Sequence, residues 1–258
     1  MLIIENFPSQ GSGAMHLILE KIILPARSTH ILRPRLMGLL RESLDSCAST
    51  IINGRAGSGK TILAADCAAA CGRATAWYKV DAPDGDLQVF FKYLIVSIQQ
   101  QRPGFGRGNL RRLLQRANRE QISLLAEAFV YELLEGEHWP LLIVIEDLHL
   151  VYDAEWVVPF FVRLLPLLPG DVHMMITCRT MPPAPLWRMR SKQSLRVIEE
   201  AELAFNRQEA IELFESHGLS CEQASIALDH THGRAAALDA CAESITPAEK
   251  SLSRPAGK

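Results

Sequence analysis

The stretch that most restricts this chain is Gly54-Arg55-Ala56-Gly57-Ser58-Gly59-Lys60-Thr61, a complete G-x-x-x-x-G-K-[ST] pattern between a short apolar run and an alanine-rich one. Residues 49–52 read as a buried strand, and residues 61–71 as a helix stopped by Gly72. Glycines at 54, 57 and 59 let the loop turn its backbone N–H groups inward, where they and the positive end of the following helix favour a polyphosphate. Gly54, Arg55, Ala56, Gly57, Ser58, Gly59, Lys60 and Thr61 are therefore the candidate nucleotide contacts. Lys60 is expected to reach the β- and γ-phosphates of ATP and the Thr61 hydroxyl to ligate Mg²⁺.

A second stretch answers the first. Leu141-Leu142-Ile143-Val144-Ile145 is a continuous apolar run ending in Glu146 and Asp147, as a buried parallel strand presents acids at its C-terminal edge, where ligands sit. Glu146 is expected in the Mg²⁺ shell and Asp147 as the catalytic carboxylate that orients the attacking water, with Glu146 beside it; the alternative is a solvated acid pair at a strand end. Residues 172–177 read as a further buried strand, after which Arg179 is either a γ-phosphate contact that joins the catalytic group or a solvated arginine.

The other elements fit around these. Residues 74–80 and 195–198 read as strands. Leu87, Phe90, Phe91, Leu94, Ile95 and Ile98 recur at helical spacing, as do Leu36, Leu39, Leu40 and Leu44 after Pro34. Helices are also expected over 121–134 and 157–168. Because the acids lie several elements after the phosphate loop, a strand is expected between the strands of Ile51 and Ile145. That gives a three-layer α/β/α parallel sheet. The expected organisation is a flexible N-terminal extension over 1–19, a P-loop NTPase domain over 20–200, a small helical subdomain over 201–245 and a disordered tail over 246–258. The helical subdomain is announced by the capping-box-like Asn206-Arg207-Gln208-Glu209, with further helices over 222–229 and 234–242.

Composition excludes some partners. With 258 residues, 48% hydrophobic, and 27 basic against 29 acidic side chains, the chain can bury a core but has no overall field to draw nucleic acid or an acidic membrane. The one basic cluster, Arg102, Arg107, Arg111, Arg112, Arg116 and Arg119, has only Phe105 for aromatic company and reads as a solvated helix face or a local phosphate contact. Six scattered cysteines without a C-x-x-C pair suit a reducing cytoplasm. Cys67 and Cys71, at i and i+4, and the paired His230 and His232 have metal-like spacing, but no further ligands accompany them and packing and turn roles are expected. No run is long enough to span a membrane, and no basic region precedes the N-terminal apolar residues as in a signal peptide.

In order along the chain, the matching pieces are Lys21 to Pro25 with Ile31-Leu32-Arg33-Pro34-Arg35-Leu36, the GRAGSGKT loop, Ala76-Trp77-Tyr78 through Asp81, Ile145-Glu146-Asp147-Leu148-His149-Leu150-Val151, Thr177-Cys178-Arg179 with Pro182-Pro183, and His232-Gly233-Arg234-Ala235-Ala236-Ala237-Leu238. With these the chain, over roughly residues 20 to 242, resembles the N-terminal ATPase module of LuxR-type large ATP-binding transcriptional regulators, of the STAND class of signalling P-loop NTPases. The resemblance implies an ATP-dependent switch with slow hydrolysis, a partner protein or C-terminal sensor and DNA-binding domains beyond this chain, and nucleotide-dependent self-association. Where that family commonly has Asp first in the acid pair, Glu146 stands here, which implies a different fit to the Mg²⁺ shell. A free-standing P-loop ATPase, kinase-like or motor-like, is the alternative; it would need an acceptor site or an arginine finger. Direct nucleic-acid binding is not expected.

Overall fold

The computed structural model describes residues 17–26, 31–116, 119–136, 139–192 and 194–245. The expected tail over 246–258, and residues 1–16 of the expected extension, lie outside them.

Five parallel strands form one sheet: β1 (Ser49–Asn53), β2 (Ala74–Lys79), β3 (Leu141–Glu146), β4 (Val172–Cys178) and β5 (Leu195–Ile198), in the order β2-β3-β4-β1-β5. The register pairs Ile51 with Ile176 and Ile143 with Met174, so β4 lies between the loop-bearing strand and the acid-bearing strand. The sequence expectation of an inserted strand holds. β-Branched and long aliphatic residues fill β1, β3 and β4, and every residue of β3 and β4 is buried, as a sheet covered on both faces requires.

The side-chain alternation of the strands divides two cores. Ile52, Trp77, Leu142, Val144 and Met175 face α1 (Pro34–Ser46) and α2 (Lys60–Ala70). Ile51, Tyr78, Ile143, Ile145, Met174 and Ile176 face the opposite layer, built from α3 (Leu87–Gln99), α4 (Asn109–Leu114), α5 (Ile122–Glu135) and α6 (Val157–Leu164). The result is a three-layer α/β/α sandwich. In that second layer Phe90, Phe91, Phe129, Phe160 and Trp156 pack mostly edge to face, with centroids between 4.8 and 6.5 Å apart, the geometry the ring quadrupoles favour.

Local signals end the helices. Pro34 opens α1 with its preset φ. The Asp86 carboxylate accepts from the Gln88 and Val89 N–H groups at the head of α3. Shorter helices α7 (Ala184–Trp187) and α8 (Glu200–Leu203) flank β5. The chain then makes α9 (Arg207–Ser216), α10 (Cys221–Thr231) and α11 (Ala235–Ser244) around a separate small core that includes Leu213, Phe214 and Leu238. Asn206 caps α9 reciprocally with Glu209.

Several expectations need correction. The helix expected over 157–168 is α-helical to Leu164 and then tightens to a 3₁₀ turn, Leu165–Leu167, at Pro166, whose ring clashes with the preceding turn of an α-helix. His230 and Thr231 belong to α10, and only His232 and Gly233 make the turn, both at positive φ. Arg102 is not part of a solvated cluster: it is 2% exposed, and its guanidinium donates to the Leu133 and Trp139 carbonyls and pairs with Asp171 at 2.7 Å. Phe105 is buried in the core. The side chain of Arg119 lies outside the described residues.

Candidate nucleotide site

The C-terminal edge of the sheet gathers every candidate. β1 delivers Gly54, whose N–H donates to the Cys178 carbonyl at the end of β4 at 3.1 Å. The loop then turns through Gly57 at φ +77° and Gly59 at φ +87°, both in the left-handed region. An added Cβ at Gly57 would crowd Ala236 at 2.9 Å, so glycine is required there for conformation and close approach alike, and at Gly59 for conformation. Lys60 and Thr61 open α2. This cradle of inward-turned backbone at a helix N-terminus fits a polyphosphate.

Lys60 is 6% exposed, and its ammonium donates to the carbonyls of Gly54 at 2.6 Å and Arg55 at 2.9 Å. Burial lowers its pKa, with Asp147 acting in the opposite direction. Across the loop, the Thr61 hydroxyl donates to Glu146 Oε1 at 2.5 Å. The structure thus brings together the two oxygen donors expected around Mg²⁺, and hard oxygen ligands suit that ion.

Asp147 adopts φ 59°, ψ 36° just beyond β3, which turns its carboxylate back over the sheet edge. Its N–H donates to the buried Thr177 hydroxyl at 3.0 Å. Arg179 from the end of β4 grips the carboxylate with two hydrogen bonds, Nε–Oδ1 at 3.2 Å and Nη2–Oδ2 at 3.1 Å. His149 Nδ1 lies 3.7 Å from the same carboxylate, and burial depresses its pKa. Arg179, half-exposed, is not solvated alone: it pairs with the neighbouring candidate Asp147 and lines the same cavity as Lys60 and Thr61.

The structure adds residues that motif reading left without a role. Arg234, at the head of α11, donates to the Ala56 carbonyl at 2.6 and 3.2 Å, and the Ala236 N–H donates to the Gly57 carbonyl at 2.9 Å. On the outer side Arg55 pairs with Glu200 at 2.7 Å. Arg33 donates to the Leu203 and Ala204 carbonyls and to Glu209, all between 2.8 and 2.9 Å, and stacks over Phe205 at 4.0 Å. Arg33 and Arg234 stood in the family-like segments, but nothing in a linear motif says which carbonyl each will meet.

Between the loop, α2 and the helical unit lies a cavity of about 540 Å³. Its lining mixes the charged and polar side chains of Lys60, Thr61, Asp147 and Arg179 with apolar ones, among them Ile31, Ile62, Phe205 and Leu213. Its size suits a small ligand such as a nucleotide.

No protein-family model matches the chain. Among solved structures it is similar to a signal transduction ATPase with numerous domains (STAND) that has a tetratricopeptide repeat sensor, from Pyrococcus horikoshii. The TM-score is 0.62 with 20% identity, covering 86% of this chain and 31% of that one. It is also similar to a Walker-type ATPase of Pyrococcus abyssi, with a TM-score of 0.51 and 12% identity over 83% of this chain and 68% of that one. The fold is that of the P-loop NTPases. The present chain thus spans about a third of the length of the first of these structures.

Proposed function

We propose that this chain is a Mg²⁺-ATP-binding signalling module of the STAND class, the switch of a LuxR-type bacterial transcriptional regulator, reset by slow hydrolysis. The observation that carries the switch reading is the contact of the helical unit with the phosphate loop: Arg234 and Ala236 bond the carbonyls of Ala56 and Gly57. Any movement of that loop is felt by α11, and through it by whatever surface the helical unit presents.

In this reading the loop from Gly54 to Thr61 binds the phosphates, and Lys60 exchanges the carbonyls of Gly54 and Arg55 for phosphate oxygens. Thr61 and Glu146 would hold Mg²⁺, which supplies charge neutralisation across the β- and γ-phosphates. Arg179 is shared between Asp147 and incoming phosphate, so its departure frees the carboxylate to orient water. The module is proposed to act in the cytoplasm, with sensor and DNA-binding domains or a separate protein as its partner, and with self-association that follows the nucleotide.

The deciding measurement is turnover beside retention. Purified full-length chain should hold ATP or ADP through gel filtration while releasing phosphate slowly, and limited proteolysis should show protection of the 231–236 connection that differs between the two nucleotides. Fast multiple-turnover ATP consumption with an identical proteolytic pattern in both states would overturn the switch reading in favour of a free-standing ATPase. Absence of nucleotide binding would remove both.

A further inference from the structure

A groove lies on the layer remote from the nucleotide cavity. It runs between α4 and α5, encloses about 540 Å³, and has a floor of Leu113, Leu124, Ala128 and Tyr131. The sequence of α5 is apolar nearly all round, the composition of a helix covered on every side. Its inner face is covered: Leu125, Ala126, Phe129 and Leu133 are in the core. Its outer face is not, since Leu124, Tyr131 and Leu134 are 47%, 52% and 51% exposed. Leu124 and Tyr131, seven residues and about 10 Å of helix apart, share the groove face with Ala128 and the paired Glu127, a partly apolar patch rather than a lone surface leucine.

Charge decides what fits. Glu127 lines the groove and is paired with Arg163 at 2.5 Å, and Glu135 accepts a hydrogen bond from Tyr131 at the groove's end. Arg112 and Arg116 stand exposed on the opposite wall. Arg112 donates only to the neutral side chain of Asn109, and among the described residues neither arginine has a carboxylate partner. The groove thus has a mostly apolar floor, carboxylates on its α5 side of which Glu127 is paired with Arg163, and on its opposite wall two arginines without a carboxylate partner among the described residues. Nucleic acid suits it poorly: of the basic cluster, Arg102 and Phe105 are buried and committed to the core, leaving a phosphate track with one aromatic ring.

We infer that this groove is a docking site for an acidic amphipathic helix of a partner protein, with apolar side chains at i, i+4 and i+7 seated on Leu124 and Tyr131 and carboxylates facing Arg112 and Arg116. An apolar helix face laid in a groove between two helices supplies the affinity. The flanking charges set orientation, on-rate and salt dependence. The site does not depend on the nucleotide reading.

The test is a peptide-display selection on the full-length chain, using a helical library with leucine fixed at i, i+4 and i+7 and all other positions random. Recovered peptides should be enriched in Asp and Glu beside the leucines. Their affinity should fall tenfold or more on Leu124→Glu and on the pair Arg112→Glu and Arg116→Glu. Both sites are at the surface, and an unchanged unfolding temperature confirms that the fold is kept. A basic library consensus, binding indifferent to these substitutions, or no enrichment would overturn the proposal. So would single-stranded DNA that binds more tightly than the peptides and is lost with the arginines, or sedimentation showing that the groove is already covered by a second copy.

Discussion

Lys60 and Asp147 sit about the same loop but carry separable tasks. The Lys60 ammonium is satisfied by the two loop carbonyls it can reach, yet burial lowers its pKa because carbonyls do not replace a counter-charge. Phosphate oxygens would supply one through charge-assisted bonds. Lys60→Ala is therefore expected to weaken ATP binding by roughly tenfold or more, read by calorimetric titration. Asp147→Asn is different. Asn tolerates the left-handed backbone that Asp147 adopts at φ 59°, and it keeps the shape while removing the carboxylate. Nucleotide should still bind while phosphate release falls, on the order of 10²-fold or more for the loss of a positioned proton acceptor. Undiminished binding by the first variant, or wild-type turnover by the second, would remove that residue from the site.

At the scale of elements, the turn between α10 and α11 and the start of β4 each make a sharp prediction. Gly233 has φ +73°, and a Cβ there would lie 2.5 Å from the Phe205 carbonyl oxygen and 2.9 Å from its nitrogen, both backbone atoms. The same turn bonds Phe205 N–H to the Gly233 carbonyl at 2.8 Å. Gly233→Ala should cost at least about 1–2 kcal/mol from conformation alone, and urea unfolding with an unchanged midpoint would contradict this. His173 points from β4 into the α1 side of the sheet, where Thr50 Oγ1 at 2.8 Å and the Cys47 carbonyl at 3.1 Å engage its ring. Burial, with Arg73 nearby, lowers its pKa from 6.5 to about 4. A folded-state pKa below the unfolded one means the unfolded chain binds the proton more readily between those values. Stability from this group is then full above pH 6.5 and declines as pH falls toward 4, by at most about 3 kcal/mol. His173→Gln should flatten that part of the stability curve, measured by unfolding between pH 7 and 4.

For the whole molecule, the question is what ties the helical unit to the sheet. Its core around Phe214 and Leu238 is separate from the two sheet cores. Much of the connection passes through Arg33 and Arg35, which share Glu209 at 2.8 and 3.2 Å and hold the Ala204 carbonyl between them. Glu209 is 5% exposed at its side chain, so removing both arginines strands a buried carboxylate, a loss on the order of 3 kcal/mol. The double variant Arg33→Ala with Arg35→Ala should unfold in two calorimetric steps, the helical unit first. A single transition at the wild-type temperature would show that the α11 contacts with the loop suffice alone.

The short-range part of this protein was legible in the chain. The glycines that permit positive φ, the Lys-Thr pair at a helix head, the all-apolar strand before Glu146 and Asp147, and the helical stripe of α3 follow from local sterics and from periods of 3.6 and 2, which adjacent residues express. That a strand separates β1 from β3 was expected as well, but chain order did not say which: β2, which lies between them in sequence, is at the sheet edge, and β4, which follows β3, takes the place. What folding in three dimensions decided is the partnership of charges. Arg179 could have been solvated alone, and it closes on Asp147 while lining the cavity. Arg102 read as one of a basic run, and Asp171 with two carbonyls draws it into the core. Arg33 and Arg234 carried no assignable role, and Glu209 only that of a helix cap, until residues some 170 positions apart met. Ion pairs and carbonyl contacts depend on a distance of a few ångströms between remote segments, and no periodicity in one segment encodes where the other will lie.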